Sequence, residues 1–143
     1  MAYSASYGLI QVQKKADSTW VTIPLEYIRF ETYQATPQQA IDLDSYRAET
    51  GTLIRNVVGS KAKLEFNTPI MSDSDWQAVW SIISAGFNNS NEKRLKLRYY
   101  DTLSATYKTG YFYVPDVQTQ IRNIDESTGK IMYNEIRVAF IEY

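Results

Sequence analysis

Lys61-Ala62-Lys63-Leu64-Glu65-Phe66 alternates charged and apolar residues without a break, and Asn67-Thr68-Pro69 closes the run. A period of two puts Ala62, Leu64 and Phe66 on one face of a β-strand and leaves Lys61, Lys63 and Glu65 on the other. Such a strand belongs to an antiparallel sheet with one face on a core and one in water. Leu95, Leu97 and Tyr99 repeat the pattern against Lys96, Arg98 and Tyr100.

Working outward, the chain reads as strands almost throughout. Gly8 to Phe30 gives short strands, including Trp20-Val21-Thr22-Ile23 before Pro24, and Tyr27 to Tyr33 alternates like a further strand. Gln34-Ala35-Thr36-Pro37-Gln38-Gln39 reads as a polar loop. Tyr111 to Val114 and Val117 to Ile124 are strands, Asp125-Glu126-Ser127-Thr128-Gly129 a hairpin turn, and Lys130 to Tyr143 one long final strand.

Ser72 to Phe87 is the one helix. Ser72 and Asp75 have the spacing of a capping box, and Asp73 and Asp75 place negative charge in the first turn. Trp76, Val79, Trp80, Ile83 and Phe87 form an apolar stripe expected in the core, and Gly86 with Asn88-Asn89 supplies the stop. The expected fold is mainly β with one helix (α+β): an antiparallel β-sandwich or split barrel flanked by a single amphipathic helix, in one domain spanning residues 1–143.

Ile41-Asp42-Leu43-Asp44-Ser45-Tyr46-Arg47 and Leu53-Ile54-Arg55-Asn56-Val57-Val58 flank a turn at Glu49-Thr50-Gly51. They form a long hairpin over about 41–58 that protrudes from the body. A two-stranded hairpin alone is marginal in water, so it needs another surface to cover it.

Composition narrows the function. The 143 residues contain no cysteine and no histidine and carry a formal charge of −1. Disulfides, thiol nucleophiles, Cys-rich zinc sites, His-ligated metals and the Ser-His-Asp triad are thereby excluded. Acid–base catalysis would rest on carboxylates, Lys or Tyr. A charge this small argues against a dedicated nucleic-acid binder. No apolar run approaches the ~18 residues of a membrane helix. Met1 to Ser6 lacks a signal peptide's basic start and apolar stretch, which points to synthesis in a cytoplasm.

Local motifs yield no cofactor or metal. Asp42-x-Asp44 opens like a calcium loop, yet Arg47 and Leu53 stand where glycine and glutamate are required. Thr128-Gly129-Lys130 lacks the upstream glycine of a phosphate loop, and Asn88-Asn89-Ser90 reads as a helix exit rather than a glycosylation site. Lys93-Arg94, Lys96 and Arg98, followed by Tyr99 and Tyr100, form the densest basic patch, read as a wet strand face or a protected edge in preference to a nucleic-acid surface. Twelve tyrosines, several (Tyr27, Tyr33, Tyr100) alternating away from the expected core face, favour a protein interface.

This order of elements resembles the small tail-tube-like proteins of tailed bacteriophages, in particular the short distal-tail or baseplate-hub proteins. The resemblance lies in Asp44-Ser45-Tyr46-Arg47, Thr50 to Asn56, Lys61 to Pro69, Gly110-Tyr111-Phe112-Tyr113-Val114-Pro115-Asp116 and Arg137-Val138-Ala139-Phe140-Ile141-Glu142-Tyr143. It implies a non-enzymatic virion protein, located in the tail and assembled in the host bacterial cytoplasm. Protomers would form a ring, hexameric by the same resemblance, around a channel through which DNA passes, joining the tail tube to the tip apparatus. The other partners implied are tail-tube, tape-measure and tip or hub proteins, with no membrane. The residues expected at the subunit interface are Asp42, Asp44, Tyr46, Arg47, Leu53, Arg55 and Val57 on the hairpin. The alternatives are a monomeric carbohydrate-binding β-sandwich and a carboxylate-dependent cell-wall hydrolase.

Overall fold

The protein is described by a computed structural model covering residues 3–42, 46–47, 51, 53–54, 57–89 and 91–143. In chain order the elements are β1 (Ile10–Gln13), β2 (Trp20–Thr22), two 3-10 turns (Leu25–Tyr27 and Phe30–Thr32), β3 (Gln34–Asp42), β4 (Tyr46–Arg47), β5 (Leu53–Ile54), β6 (Val57–Asn67), β7 (Met71–Ser72), α1 (Asp73–Ser84), β8 (Arg94–Asp101), β9 (Thr106–Tyr113), β10 (Ile121–Asp125), β11 (Lys130–Tyr133) and β12 (Arg137–Glu142). The main sheet has seven strands in the order β2-β1-β8-β9-β12-β6-β3. A second sheet orders β10-β11-β7, and β4 pairs with β5. The strand pairs of the main sheet are antiparallel among the described residues, and the sheet ends at β2 and β3 without closing into a barrel.

The alternating strands behave as their pattern requires. Ala62, Leu64, Phe66, Leu95, Leu97 and Tyr99 are buried on one face of the sheet. Register carries that face across the strands: Phe66 lies opposite Val138, Leu64 opposite Phe140, and Leu95 opposite Phe112. Phe66, Phe112 and Phe140 are fully buried, and Tyr99 meets Phe112 edge-on at 5.5 Å between ring centres. Burying a side chain of this size is worth ~1.5–3 kcal/mol, so the row of buried positions dominates the favourable side of folding.

Helix α1 lies against this apolar layer. Ser72 Oγ accepts the Asp75 amide at 3.3 Å, the cap foreseen from the sequence. Trp76, Val79 and Ile83 are buried, whereas Trp80 and Phe87 are only half-buried and continue the stripe, Trp80 stacking on Trp76 at 5.9 Å and meeting Phe87 edge-on at 5.8 Å between ring centres. The helix closes on Gly86, where an added Cβ would stand 2.5 Å from Val12 Cγ1 and 3.0 Å from the Gln13 carbonyl. Glycine here lets the helix end approach β1.

Four expectations about elements need correction. Tyr27 to Tyr33 is not a strand: after Pro24 the chain makes two 3-10 turns, with Ile28 N donating to Leu25 O and Tyr33 N to Phe30 O. Gln34 to Gln39 is not a loop but the first part of β3. An edge strand needs backbone pairing on one side only, so it tolerates polar residues and Pro37, where the register with β6 shifts. The final stretch is two strands, because the chain leaves the small sheet after Tyr133 and enters the main sheet at Arg137. Ile136 is buried at that crossing, and its amide donates to Thr68 Oγ1 at 3.0 Å. Finally, Val117 to Gln120 lies outside the sheets, and pairing begins at Ile121.

Candidate functional site: assembly surfaces of the sheet

The β3–β6 pair extends beyond the stretch of β6 that also pairs with β12. Between Lys63 and Glu65, β6 is flanked on both sides, by β3 and by β12. Beyond Lys63 the recorded partners of β6 are those of β3 alone: Gln39 opposite Lys61, Ala40 opposite Ser60, Ile41 opposite Gly59 and Asp42 opposite Val57. Tyr46 then faces Ile54 and Arg47 faces Leu53 in the β4–β5 pair. The β3–β6 pairing runs from Gln34 opposite Glu65 to Asp42 opposite Val57, so it reaches just inside the 41–58 span expected for the arm, most of whose outer end lies outside the described residues. Of the seven expected interface residues, the structure places Asp42 and Val57 opposite each other, Arg47 opposite Leu53, and Tyr46 beside them. Asp44 and Arg55 lie outside the described residues, as do Glu49 and Thr50 of the expected turn.

The two ends of the main sheet are also open. β2 and β3 are its terminal strands, and each presents a row of backbone donors and acceptors on its outer side.

Next to the 3-10 turns lies an apolar cleft of about 370 Å³, lined by Tyr3, Leu9, Leu25, Phe30, Tyr33, Tyr100 and Thr102. Phe30 is 63% exposed at its rim. The tyrosines here differ from the sequence expectation. Tyr27 and Tyr33 pack against the core, and Tyr33 Oη donates to the Tyr100 carbonyl at 2.6 Å. Burial pushes the Tyr33 hydroxyl far above its ordinary range, so it stays a neutral donor. Tyr107 Oη donates to the Gly8 carbonyl at 2.7 Å and meets Tyr7 and Tyr100 edge-on. Several tyrosines therefore tie the N-terminal segment down.

A second projection escaped the sequence reading. Residues 121–130, the β10–β11 hairpin, are exposed throughout, and Ile121 and Ile124 are each more than half exposed. The sequence marks its turn, while its exposure is hinted at only by two isoleucines in an otherwise polar run. Its tip is the turn that was expected: Gly129, at φ 72°, donates its amide to the Asp125 carbonyl at 2.7 Å.

The face of the main sheet turned away from the apolar layer is polar and aromatic. Arg94, Lys96 and Arg98 project there from β8, at every second residue. Arg94 Cζ lies 4.2 Å from the Tyr143 ring centre and 4.9 Å from that of Tyr111. Lys96 Nζ is 5.7 Å from Tyr111. Arg98 Cζ is 4.3 Å from Trp20 and 4.6 Å from Tyr7, and its Nη1 donates to Gln11 Oε1 at 2.8 Å.

Asp101 is a fully buried carboxylate in the β8–β9 hairpin. Burial alone would raise its pKa, but hydrogen bonds from Ser104 Oγ (2.8 Å), Lys108 Nζ (3.1 Å) and the Leu103 amide (3.0 Å) hold it below the ordinary value. A carboxylate kept ionised in this way organises a turn rather than donating protons. Among the described residues no three potential metal ligands cluster together.

No curated protein matches the chain. Among solved structures, a chain in the tail of an empty GTA particle, refined with C6 helical symmetry, is similar with a TM-score of 0.52 at 13% identity, over 99% of this chain and 95% of that one. A chain in the virion of a native gene transfer agent (GTA) particle gives a TM-score of 0.47 at 15% identity, again over 99% and 95%. At 13% identity the first of these likenesses establishes a shared fold. Residues 14–143 match the family of unknown function DUF6711, and the chain belongs to that family.

Proposed function

We propose that the protein is a non-enzymatic structural component of a phage-like tail, one domain whose copies join into a ring around a DNA channel. The observation that carries this reading is the β3–β6 pair, which runs on from Lys61 to Val57 with no third strand beside it among the described residues. A ribbon of two strands cannot cover both its faces, so its stable position is against another surface. Asp42, Asp44, Tyr46, Arg47, Leu53, Arg55 and Val57 are the residues assigned to that contact.

The open edges at β2 and β3 lie at opposite ends of one sheet, which suits head-to-tail contacts between unlike surfaces. A heterologous contact of this kind closes into a ring when its rotation divides the circle. The similar fold in a tail of C6 symmetry supports six copies and a place in a phage-like tail; assembly would take place in the host bacterial cytoplasm. The work within the tail would be to join the tube to the tip, with tail-tube, tape-measure and hub proteins as neighbours.

Negative-stain imaging of the purified protein tests the reading. Rings with a central channel are expected. Particles that remain single subunits at every concentration would overturn it.

A further inference from the structure

We propose that the uncovered face of the main sheet is a surface for the phosphodiester backbone of DNA, with Arg94, Lys96 and Arg98 as its phosphate-binding row. The inference deepens the ring reading, on which it rests for DNA as the polyanion present, and it assigns the surface that DNA meets.

Three observations converge on β8. First, the three cations stand at alternate positions of one strand and therefore point the same way, about 7 Å apart. Second, none of them has a carboxylate within ion-pair distance among the described residues, whereas Arg29, Lys93, Lys108 and Arg137 all do. Each is instead held in place by aromatic rings: Tyr111 and Tyr143 around Arg94, Tyr111 beside Lys96, Trp20 and Tyr7 around Arg98. Ring stacking orients a cation without neutralising it, so the positive charge stays available to a partner. Third, Arg94 Nε is buried and has no hydrogen-bond partner.

Further cations lie on this face. Lys61 and Lys63 on β6 extend it, and Lys61 Nζ donates to the Tyr143 carbonyl at 3.0 Å. Arg137 is matched by Glu65, the carboxylate that alternates onto this face between Lys63 and Asn67. A chain with a formal charge of −1 thus gathers cations on one side of one sheet. The charges of the row repeat along one strand, and Lys96 and Tyr111 also line a small cleft of about 120 Å³ together with Lys14 and Lys15, so the positive charge extends over several residues, which fits a polyanion of repeating charge better than a single side chain. Arginine forks and a lysine point charge are the usual phosphate partners. Exposed Tyr111 adds a ring on which an unpaired base can stack.

Fluorescence anisotropy of the full-length chain with a labelled 30-base-pair duplex, and with the corresponding single strand, tests the assignment over a series of salt concentrations. Three phosphate contacts give a slope of log K against log salt of roughly −3 for duplex DNA. Lys96→Gln, which removes one contact, should reduce that slope by about one. Lys96→Glu with Arg98→Glu should weaken binding at low salt by at least about tenfold, while Lys130→Glu on the distant β10–β11 hairpin leaves it unchanged. Tighter binding of the single strand would assign Tyr111 to base stacking. Absence of salt-dependent binding to either DNA, or binding that the Lys96 and Arg98 replacements leave intact, overturns the proposal. Sedimentation separates it from the ring reading. A chain that binds DNA but stays monomeric contradicts the ring alone, and rings without affinity for DNA contradict this face alone.

Discussion

Lys108 Nζ lies 3.1 Å from Oδ2 of Asp101, and the two residues straddle the turn that joins β8 to β9. Ser104 Oγ and the Leu103 amide also donate to this buried carboxylate, and together these bonds outweigh its burial and lower its pKa. A group whose pKa is lowered by folding contributes stability that is complete above its unfolded value, ~3.9 for Asp, and is lost as pH falls through the folded value. Denaturant midpoints should therefore fall between pH 5 and pH 2. Asp101→Asn should cost about 1.5–3 kcal/mol at pH 7 and flatten that acid dependence, since hydrogen bonds to charged groups are worth about that much. An unchanged acid profile in the variant would show that the carboxylate does not govern it.

Trp76 and Trp80 share the helix stripe but not its burial. Trp76→Ala should cost about 3–5 kcal/mol in a urea melt, as large truncations in a core do. Trp80→Ala should cost less, because one side of its ring faces solvent. An equal or larger loss at Trp80 would place the centre of the helix contact elsewhere.

Gly86→Ala introduces a methyl group 2.5 Å from Val12 Cγ1 and 3.0 Å from the Gln13 carbonyl. The backbone oxygen cannot swing away as a side chain can. Overpacking of this kind costs about 1–3 kcal/mol, against the gain that Gly→Ala normally brings at a helix. A stabilised variant would mean that α1 can move off β1 freely.

Tyr33→Phe removes the donor to the Tyr100 carbonyl and keeps the ring. The expected loss is about 1 kcal/mol, the usual net worth of one hydrogen bond. Because the Tyr33 hydroxyl remains neutral far above its ordinary range, that difference should be the same at pH 7 and pH 9. A difference that shrinks over this interval would show the hydroxyl titrating.

What the sequence disclosed and what it concealed follow from where side chains meet solvent. Leu64 and Phe66, or Trp76 and Ile83, advertise their elements because one-sided burial imposes a period on the chain. β3 from Gln34 to Gln39 does not, because an edge strand is held by backbone bonds to β6 and needs no apolar side chain. Tyr27 to Tyr33 imitates a strand, yet Ile28 is buried and Phe30 exposed on successive 3-10 turns. The break at Ile136 is equally hidden, since a strand that changes sheets stays apolar across the crossing. The tyrosines carried the least local information. Whether Tyr33 or Tyr107 faces a partner or an internal carbonyl depends on segments about 67 and 99 residues away.

The assembly surfaces show the same division. The pairing of β3 with β6 follows from chain neighbours, whereas the cations of β8 required register to bring Tyr111 beside Lys96 and Trp20 within reach of Arg98.

Sedimentation velocity on the intact chain and on a variant lacking Asp44 to Asn56, its strands rejoined by a short turn, tests the central claim most directly. The intact chain should sediment as a closed oligomer. The shortened chain should sediment as a monomer with an unaltered circular dichroism spectrum. A shortened chain that assembles as the intact one does, or an intact chain that never leaves the monomer, would contradict the account.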